Sequence, residues 1–275
     1  PADHLRLGCA APFLWTTPEA RTLDLYHVTS PLMPDILLPA WSPCPVVATL
    51  LDAIPAVLRA RGTPLFDDAG WLRYQQRVQV LASYQGYLPI SCSAADDCAV
   101  HLDLPRQRME VTWVPIARRP MAGLSDDQAR ALVRRFGLET GYVVSVSGYN
   151  PRKNIEGMLR DYALLPAGLR RAHPLVLICA LNDAERAEIM AQARHYGIEN
   201  ELLATGYVTD EELVALVRCA GCMIFTSRYE GFGIPPAEAM ACGTPVVLSN
   251  TSSLPEIAGD AGILVDPDDE EGFAR

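Results

Sequence analysis

Lysine is almost absent from this 275-residue chain: it occurs once, at Lys153, and arginine supplies the rest of the 23 basic residues. Aromatic residues are sparse at 7%, and the five histidines are too scattered to suggest a metal cluster. No apolar run approaches the roughly 18 residues that a membrane-spanning helix needs. The opening stretch Pro1–Ala10 has neither a basic start nor a long apolar centre, so it does not read as a signal peptide. An excess of positive charge is missing too. The formal net charge of −10 argues against general nucleic-acid binding, which needs a basic face. It still permits a phosphate ligand, because a few local cations and helix ends can hold one.

What is present is an ordinary globular balance, 49% apolar and 20% charged, long enough for one large domain or two modest ones. The eight cysteines (Cys9, Cys44, Cys92, Cys98, Cys179, Cys219, Cys222 and Cys242) lie mostly inside apolar runs. They read as buried thiols of a reducing cytoplasm rather than as a disulfide framework. Cys219 and Cys222 have redox or zinc spacing, but no second Cys/His pair stands near them, and they read as structural.

The second half alternates short apolar strands with helical patterns. Strands are expected at 142–147, 175–179, 201–204, 222–226, 245–248 and 262–265. Helices are expected at 154–165, 183–196, 210–218 (capped by Thr209), 236–241 and 253–258. Apolar strands separated by helices imply a parallel sheet covered on both faces, a doubly wound α/β domain. The first half is less regular. Strands are expected at 23–29, 46–51, 88–91 and 109–114, and helices at 71–84 and 94–102. The stretch Thr29–Pro45 holds five prolines and reads as a loop. A linker at 117–123 divides the chain into domains 1–119 and 120–275, with the cleft between them as the default ligand site.

Two segments carry recognisable chemistry. The first is Gly148-Tyr-Asn-Pro-Arg-Lys153, directly after a strand. Asn150 is a good N-cap and Pro151 a good first helical residue. A helix start with Arg152 and Lys153 on it makes a site for a diphosphate. The second is Glu230-Gly-Phe-Gly-Ile-Pro-Pro-Ala-Glu238. Gly231 and Gly233 let the backbone approach a ligand. Pro235 and Pro236 start a helix that puts Glu238 in its first turn. Two carboxylates eight residues apart across that bend can face one pocket. Elsewhere, Ser253-x-x-Glu256 fits a capping box. Asp266-Pro-Asp268 reads as a turn, the acidic run it opens as solvated, and His27 as a structural histidine.

The string from Ser227 to Asn250, continued by Ser252 to Pro267, resembles the signature of the retaining GT-B glycosyltransferases of glycosyltransferase family 4. The likeness covers residues 141–267. It implies a GT-B fold, two Rossmann-like domains facing across a cleft. By that resemblance, Glu230 contacts the transferred sugar and Glu238 the ribose. Arg152 and Lys153 hold the diphosphate, and Gly148 shapes the turn beside it. The backbone at Gly231, Phe232 and Gly233 faces the sugar, and Gly206-Tyr-Val208 lines the nucleobase. Leu23–His27, Val47–Pro55 and Ile90–Ser93 resemble strand ends of the acceptor domain more faintly. There Leu51-Asp52 stands where many relatives have a His-Asp pair, which leaves Asp52 as the candidate on that side. The domain's first strand with its glycine-rich loop and the C-terminal crossing helix are not found in the sequence, and the acceptor domain reads as truncated.

The resemblance further implies transfer of a hexosyl group, mannosyl among the options, from a nucleoside-diphosphate sugar. The acceptor would be a hydroxyl of a saccharide or lipid-linked saccharide, and the anomeric configuration would be retained. No cofactor or metal is expected, and no nucleic-acid partner. The implied place of work is the cytoplasm, either free or at the inner face of the membrane. The rival readings are a nucleotide-sugar epimerase or glycan phosphorylase on the same fold, or a non-catalytic module that binds a nucleotide or a partner. The phosphorylase would need a lysine for pyridoxal phosphate, and the single lysine is already taken.

Overall fold

A computed structural model describes residues 22–116, 123–269 and 271–275. Cys9, the opening stretch and nearly all of the expected linker at 117–123 lie outside the described residues. The chain divides into two compact units, Pro1–Val114 and Pro115–Arg275.

In the first unit, β1 (Tyr26–Val28), β2 (Val46–Leu50) and β3 (Gly86–Pro89) form a parallel sheet in the order β1-β2-β3. Between them run α1 (Ile54–Ala60) and α2 (Asp68–Leu81), and α3 (Cys92–Leu102) follows β3. The third strand ends before Ser91 because that residue caps α3, its Oγ accepting from Ala94 N at 2.9 Å. The expected strand at 109–114 is corrected to an extended edge segment. It has a bridge from Tyr87 to Met109 and two ladder bonds, Glu110 N to Tyr87 O and Thr112 N to Pro89 O. The proline-rich loop at 29–45 is held from below by Arg77 of α2, which is 6% exposed. Its guanidinium donates to the carbonyls of Pro31, Pro34 and Ile36. A buried cation is tolerable there because backbone oxygens replace its water.

The second unit is a six-stranded parallel sheet. Its strands are β4 (Val143–Val146), β5 (Leu175–Ile178), β6 (Leu202–Ala204), β7 (Cys222–Phe225), β8 (Val246–Ser249) and β9 (Ile263–Val265). The order is β6-β5-β4-β7-β8-β9, the doubly wound arrangement with its reversal between β4 and β7. All four residues of β5 are buried, as expected of a strand covered on both faces. Val176 and Ile178 join Val144, Met223 and Leu248 in one core. Leu175 and Leu177 join Leu159, Ile189 and Ile224 in the other.

The helices are α4 (Asp126–Arg134), α5 (Ile155–Ala163), α6 (Ala167–Ala172), α7 (Asp183–His195), α8 (Asp210–Arg218), α9 (Ile234–Ala241) and α10 (Leu254–Ala258). Capping boxes start α4 at Ser125/Gln128, α7 at Asn182/Glu185 and α8 at Thr209/Glu212. The sequence reading has no counterpart for α1, α4 and α6. In α1 the proline stands in the first turn, where its missing N–H costs no helical hydrogen bond.

Three local expectations are corrected. Asn150 does cap, accepting from Arg152 N, but it caps a 3-10 turn at Pro151–Lys153 and not the helix itself. Asn154 then takes φ +53, and α5 starts only at Ile155. Helix α9 begins at Ile234 behind Gly233, so Glu238 lies beyond its first turn. Finally, Ser253 makes no capping bond to α10; its hydroxyl is used elsewhere.

Candidate active site

Ligands of doubly wound sheets bind outside the carboxyl ends of the strands where the order reverses. Here that crevice is flanked by the segment after β4, which carries Gly148 to Asn154, and the segment after β7, which carries Thr226 to Gly233. Neither segment has a ladder of its own, so side chains satisfy much of the backbone. Arg228 N donates to Arg152 O at 2.8 Å. Thr226 Oγ1 reaches the carbonyls of Lys153 (3.3 Å) and Asn154 (3.1 Å). The two loops are thereby stitched together, and the short 3-10 turn presents Arg152 and Lys153 towards the second loop.

There they meet Glu230. A single carboxylate oxygen, Oε1, receives Lys153 Nζ at 2.6 Å, Arg152 Nη1 at 2.9 Å and Ser227 Oγ at 2.5 Å. The other oxygen, Oε2, makes no hydrogen bond among the described residues. Arg152 also donates to Tyr229 O. Lys153 Nζ lies 5.1 Å from the centre of the Phe225 ring, an added cation–π contact. The side chains of Arg152, Lys153 and Glu230 are 17%, 16% and 11% exposed, dry enough for charge to matter and open enough for a ligand. Two cations share one anion, so the cluster carries one uncompensated positive charge.

The Glu230 backbone is held by hydroxyls from the turn after β8. Its N–H donates to Ser252 Oγ at 2.9 Å. Ser253 Oγ reaches Glu230 O (3.1 Å) and Phe232 O (2.6 Å). Gly233 needs to be glycine: its φ is +112, and an added Cβ would lie 2.9 Å from Leu254 Cδ2. Gly148 is different. Its φ is not positive, and nothing lies within 4 Å of an added Cβ, so the fold alone does not demand glycine there. Gly231 and Phe232 are buried beside Glu230.

Glu238 stands on α9. Burial raises its carboxyl above the usual range, and the nearby charge of Asp210 adds to the shift. It makes no hydrogen bond or ion pair through its carboxylate among the described residues. Asp210 opens α8 directly after Gly206–Val208, so Glu238 and that segment lie on one side of the site. Gly206 takes φ +79, with Arg186 Nη2 only 2.9 Å from where its Cβ would be, while Arg186 Nη1 donates to Ala204 O at 2.7 Å. Val208 packs partly against the core, and Tyr207 is 84% exposed.

The structure thus brings Arg152 and Lys153 together with Glu230, and Gly231, Phe232 and Gly233 continue the same loop from Glu230. Asp52 belongs to the first unit, where its Oδ1 accepts from Ile54 N at 2.9 Å at the start of α1. Sequence reasoning missed Ser227, Ser252, Ser253 and Thr226 as parts of the site. The available signal was a run of hydroxyl residues beside loops that must satisfy their own backbone.

Other candidates have structural partners. His27 lies in mid-strand, its Nε2 2.8 Å from Thr49 Oγ1. Asp266 accepts from Asp268 N in a turn, and Asp268 pairs with Arg228. Cys219 and Cys222 are free thiols, as are the other described cysteines; Cys98 and Cys179 are buried, and Cys92 is exposed. Among the described residues no group of three or more His, Cys, Asp or Glu could hold a metal, and no helix is long and apolar enough to cross a membrane.

Residues 133–275 match the family described as Glycosyl transferases group 1. The chain is 30% identical over 237 residues to the serotype-specific mannosyltransferase WbdA of Escherichia coli, an alignment covering 85% of this chain and 29% of WbdA. It is 42% identical over 135 residues to the O-antigen chain mannosyltransferase B of Escherichia coli, covering 49% of this chain and 35% of that protein. The chain therefore spans only about a third of the length of these relatives. Among solved structures it resembles Anabaena HepE in complex with UDP and glucose, with a TM-score of 0.74 at 19% identity over 98% of this chain and 71% of that one. It also resembles the sucrose-phosphate synthase of Thermosynechococcus elongatus, with a TM-score of 0.72 at 21% identity over 91% and 62%. These likenesses show the fold, the α/β GT-B fold expected from the sequence.

Proposed function

The chain belongs to the group 1 glycosyl transferases, and from that premise we propose that it transfers a hexosyl group from a nucleoside-diphosphate sugar to a hydroxyl of a saccharide or lipid-linked saccharide, with retention. One observation carries this reading: Arg152 and Lys153 converge on Glu230 Oε1 at the sheet's reversal point while Oε2 stays open. The mannosyltransferases among its relatives favour mannose as the sugar.

In the proposed reaction the bond between the anomeric carbon and the diphosphate oxygen breaks, and a bond to the acceptor oxygen forms on the same face. The acceptor's proton passes to the departing phosphate oxygen. Negative charge grows on the diphosphate as the sugar gains oxocarbenium character. Arg152 and Lys153 are preorganised for that charge, and no metal or cofactor is required in this reading. Glu230 Oε2 is free to accept a sugar hydroxyl. Glu238 carries no compensating partner among the described residues and suits a diol such as that of ribose. Gly148 leaves room for a phosphate against its backbone.

Calorimetric titration with UDP, GDP and ADP, on the chain and on an Arg152→Ala/Lys153→Ala variant, tests the proposal. One nucleotide should bind, and the double variant should lose at least about a hundredfold in affinity, since each charged hydrogen bond contributes roughly 1.5–3 kcal/mol. Undiminished binding by the variant would remove the core of the proposal. Nucleotide binding without donor turnover in the wild type would leave a nucleotide-binding module.

A further inference from the structure

Glu230 sits in an irregular loop, yet both of its peptide groups are occupied. The N–H donates to Ser252 Oγ at 2.9 Å, and the C=O lies 3.1 Å from Ser253 Oγ. Ser253 also reaches Phe232 O, at 2.6 Å, so one hydroxyl spans two carbonyls of the loop. It is fully buried, at 0% exposure, where an unsatisfied hydroxyl would be costly. Ser252 takes φ +50, a backbone conformation that a non-glycine residue keeps only when its surroundings over-determine it. Ser253, moreover, forgoes the capping bond to α10 that its spacing from Glu256 would allow. Both serines therefore depart from what their local sequence favours, and both departures serve the peptide on either side of Glu230.

We propose that Ser252 and Ser253 are positioning residues of the donor site: they clamp the Glu230 backbone so that its carboxylate meets Arg152 and Lys153 through Oε1 and presents Oε2 to the sugar. This rests on the reading of Glu230 as the group that engages the transferred sugar. The clamp acts on the sugar end of the donor. The cations come from a different loop, stitched by Thr226, Ser227 and Arg228, so the nucleotide end keeps its contacts when the clamp is loosened. Positioning of this kind matters because a misplacement of about 1 Å can cost on the order of a hundredfold in rate.

The experiment compares Ser253→Ala and Ser252→Gly with the wild type in the full chain. Thr244→Ala serves as a control, since Thr244 is another buried hydroxyl, bonded to Val217 O at 2.8 Å, before β8 and away from the loop. Ser252→Gly removes the hydroxyl and also relieves the positive φ, so a loss of function in it cannot come from backbone strain. Amide exchange over residues 228–236 is read by mass spectrometry, together with kcat for transfer and the Kd of the nucleoside diphosphate. Both serine variants should speed exchange in that segment by about tenfold, with no such change in Thr244→Ala. They should lower kcat by roughly tenfold while the nucleotide Kd stays within about twofold. Exchange like that of the wild type, or like that of the control, overturns the clamp. So does an unchanged kcat, or a parallel loss of kcat and nucleotide affinity, which would mark a merely structural role. If the wild type transfers no sugar, the proposed function fails, and the exchange arm alone decides whether the clamp exists.

Discussion

Replacing Glu230 by alanine should weaken the fold, strengthen nucleotide binding and abolish transfer, a combination that few other substitutions would produce. Removing one partner of a buried ion pair costs about 3–5 kcal/mol, because the remaining charge is stranded. Here the cations are 16% and 17% exposed, so water recovers part of that loss. Set against that, two cations within 3 Å of the same oxygen lose their common anion and repel. A net loss of about 2 kcal/mol follows, which lowers the melting temperature of the second unit by roughly 4–8 °C.

The ligand side runs the other way. A diphosphate held by both cations would lie on the order of 5–6 Å from the Glu230 carboxylate. At an effective dielectric of about 20, deleting that like charge is worth roughly 3 kcal/mol per unit of charge before salt screening, on the order of a hundredfold in Kd. Calorimetry gives both numbers, by thermal unfolding and by nucleoside-diphosphate titration, and a donor assay gives the third. Stability unchanged within about 0.5 kcal/mol would mean that the network contributes nothing to the fold. A nucleotide affinity that falls along with stability would mean that Glu230 supports the phosphate instead of competing with it.

Glu238→Gln should raise stability at neutral pH while weakening nucleotide binding. The carboxyl is raised above its unfolded value, so its stabilising contribution is present below the unfolded carboxylate range and is lost as pH rises through the raised value. Denaturation midpoints measured from pH 4 to 8 should fall less steeply in the variant. A pair of glycine substitutions separates fold from function. Gly233→Ala, with φ +112 and a neighbour at 2.9 Å, should cost about 2 kcal/mol or more in denaturant titration. Gly148→Ala should leave stability within about 0.5 kcal/mol but lower donor turnover, because only a ligand would need that space. In the first unit, Arg77→Met should orphan the carbonyls of Pro31, Pro34 and Ile36 and cost about 3 kcal/mol, seen as rapid proteolysis within 29–45.

The sequence by itself determined the alternation of strands and helices in the second half. Val143–Val146, Leu175–Ile178 and Cys222–Phe225 are local apolar runs, and burial on both faces of a parallel sheet leaves that signature in consecutive residues. It also marked Arg152, Lys153, Glu230 and Glu238, because charged groups beside glycines at strand ends are conspicuous within one short window. Local patterns misled where a distant partner won. Ser253 has the spacing of a capping box, but its hydroxyl goes to Glu230 O and Phe232 O on the preceding loop. Asn150 and Pro151 look like a helix start, yet the helix begins only at Ile155, after the turn that carries both cations. The strand order that sets β4 beside β7, and the choice of one carboxylate oxygen by three donors, were decided by tertiary structure alone. Both depend on segments more than 70 residues apart in the chain, such as Lys153 and Glu230. Periodicity and propensity report on neighbours within a few residues; which loops meet is fixed only when the sheet assembles and buries both of its faces.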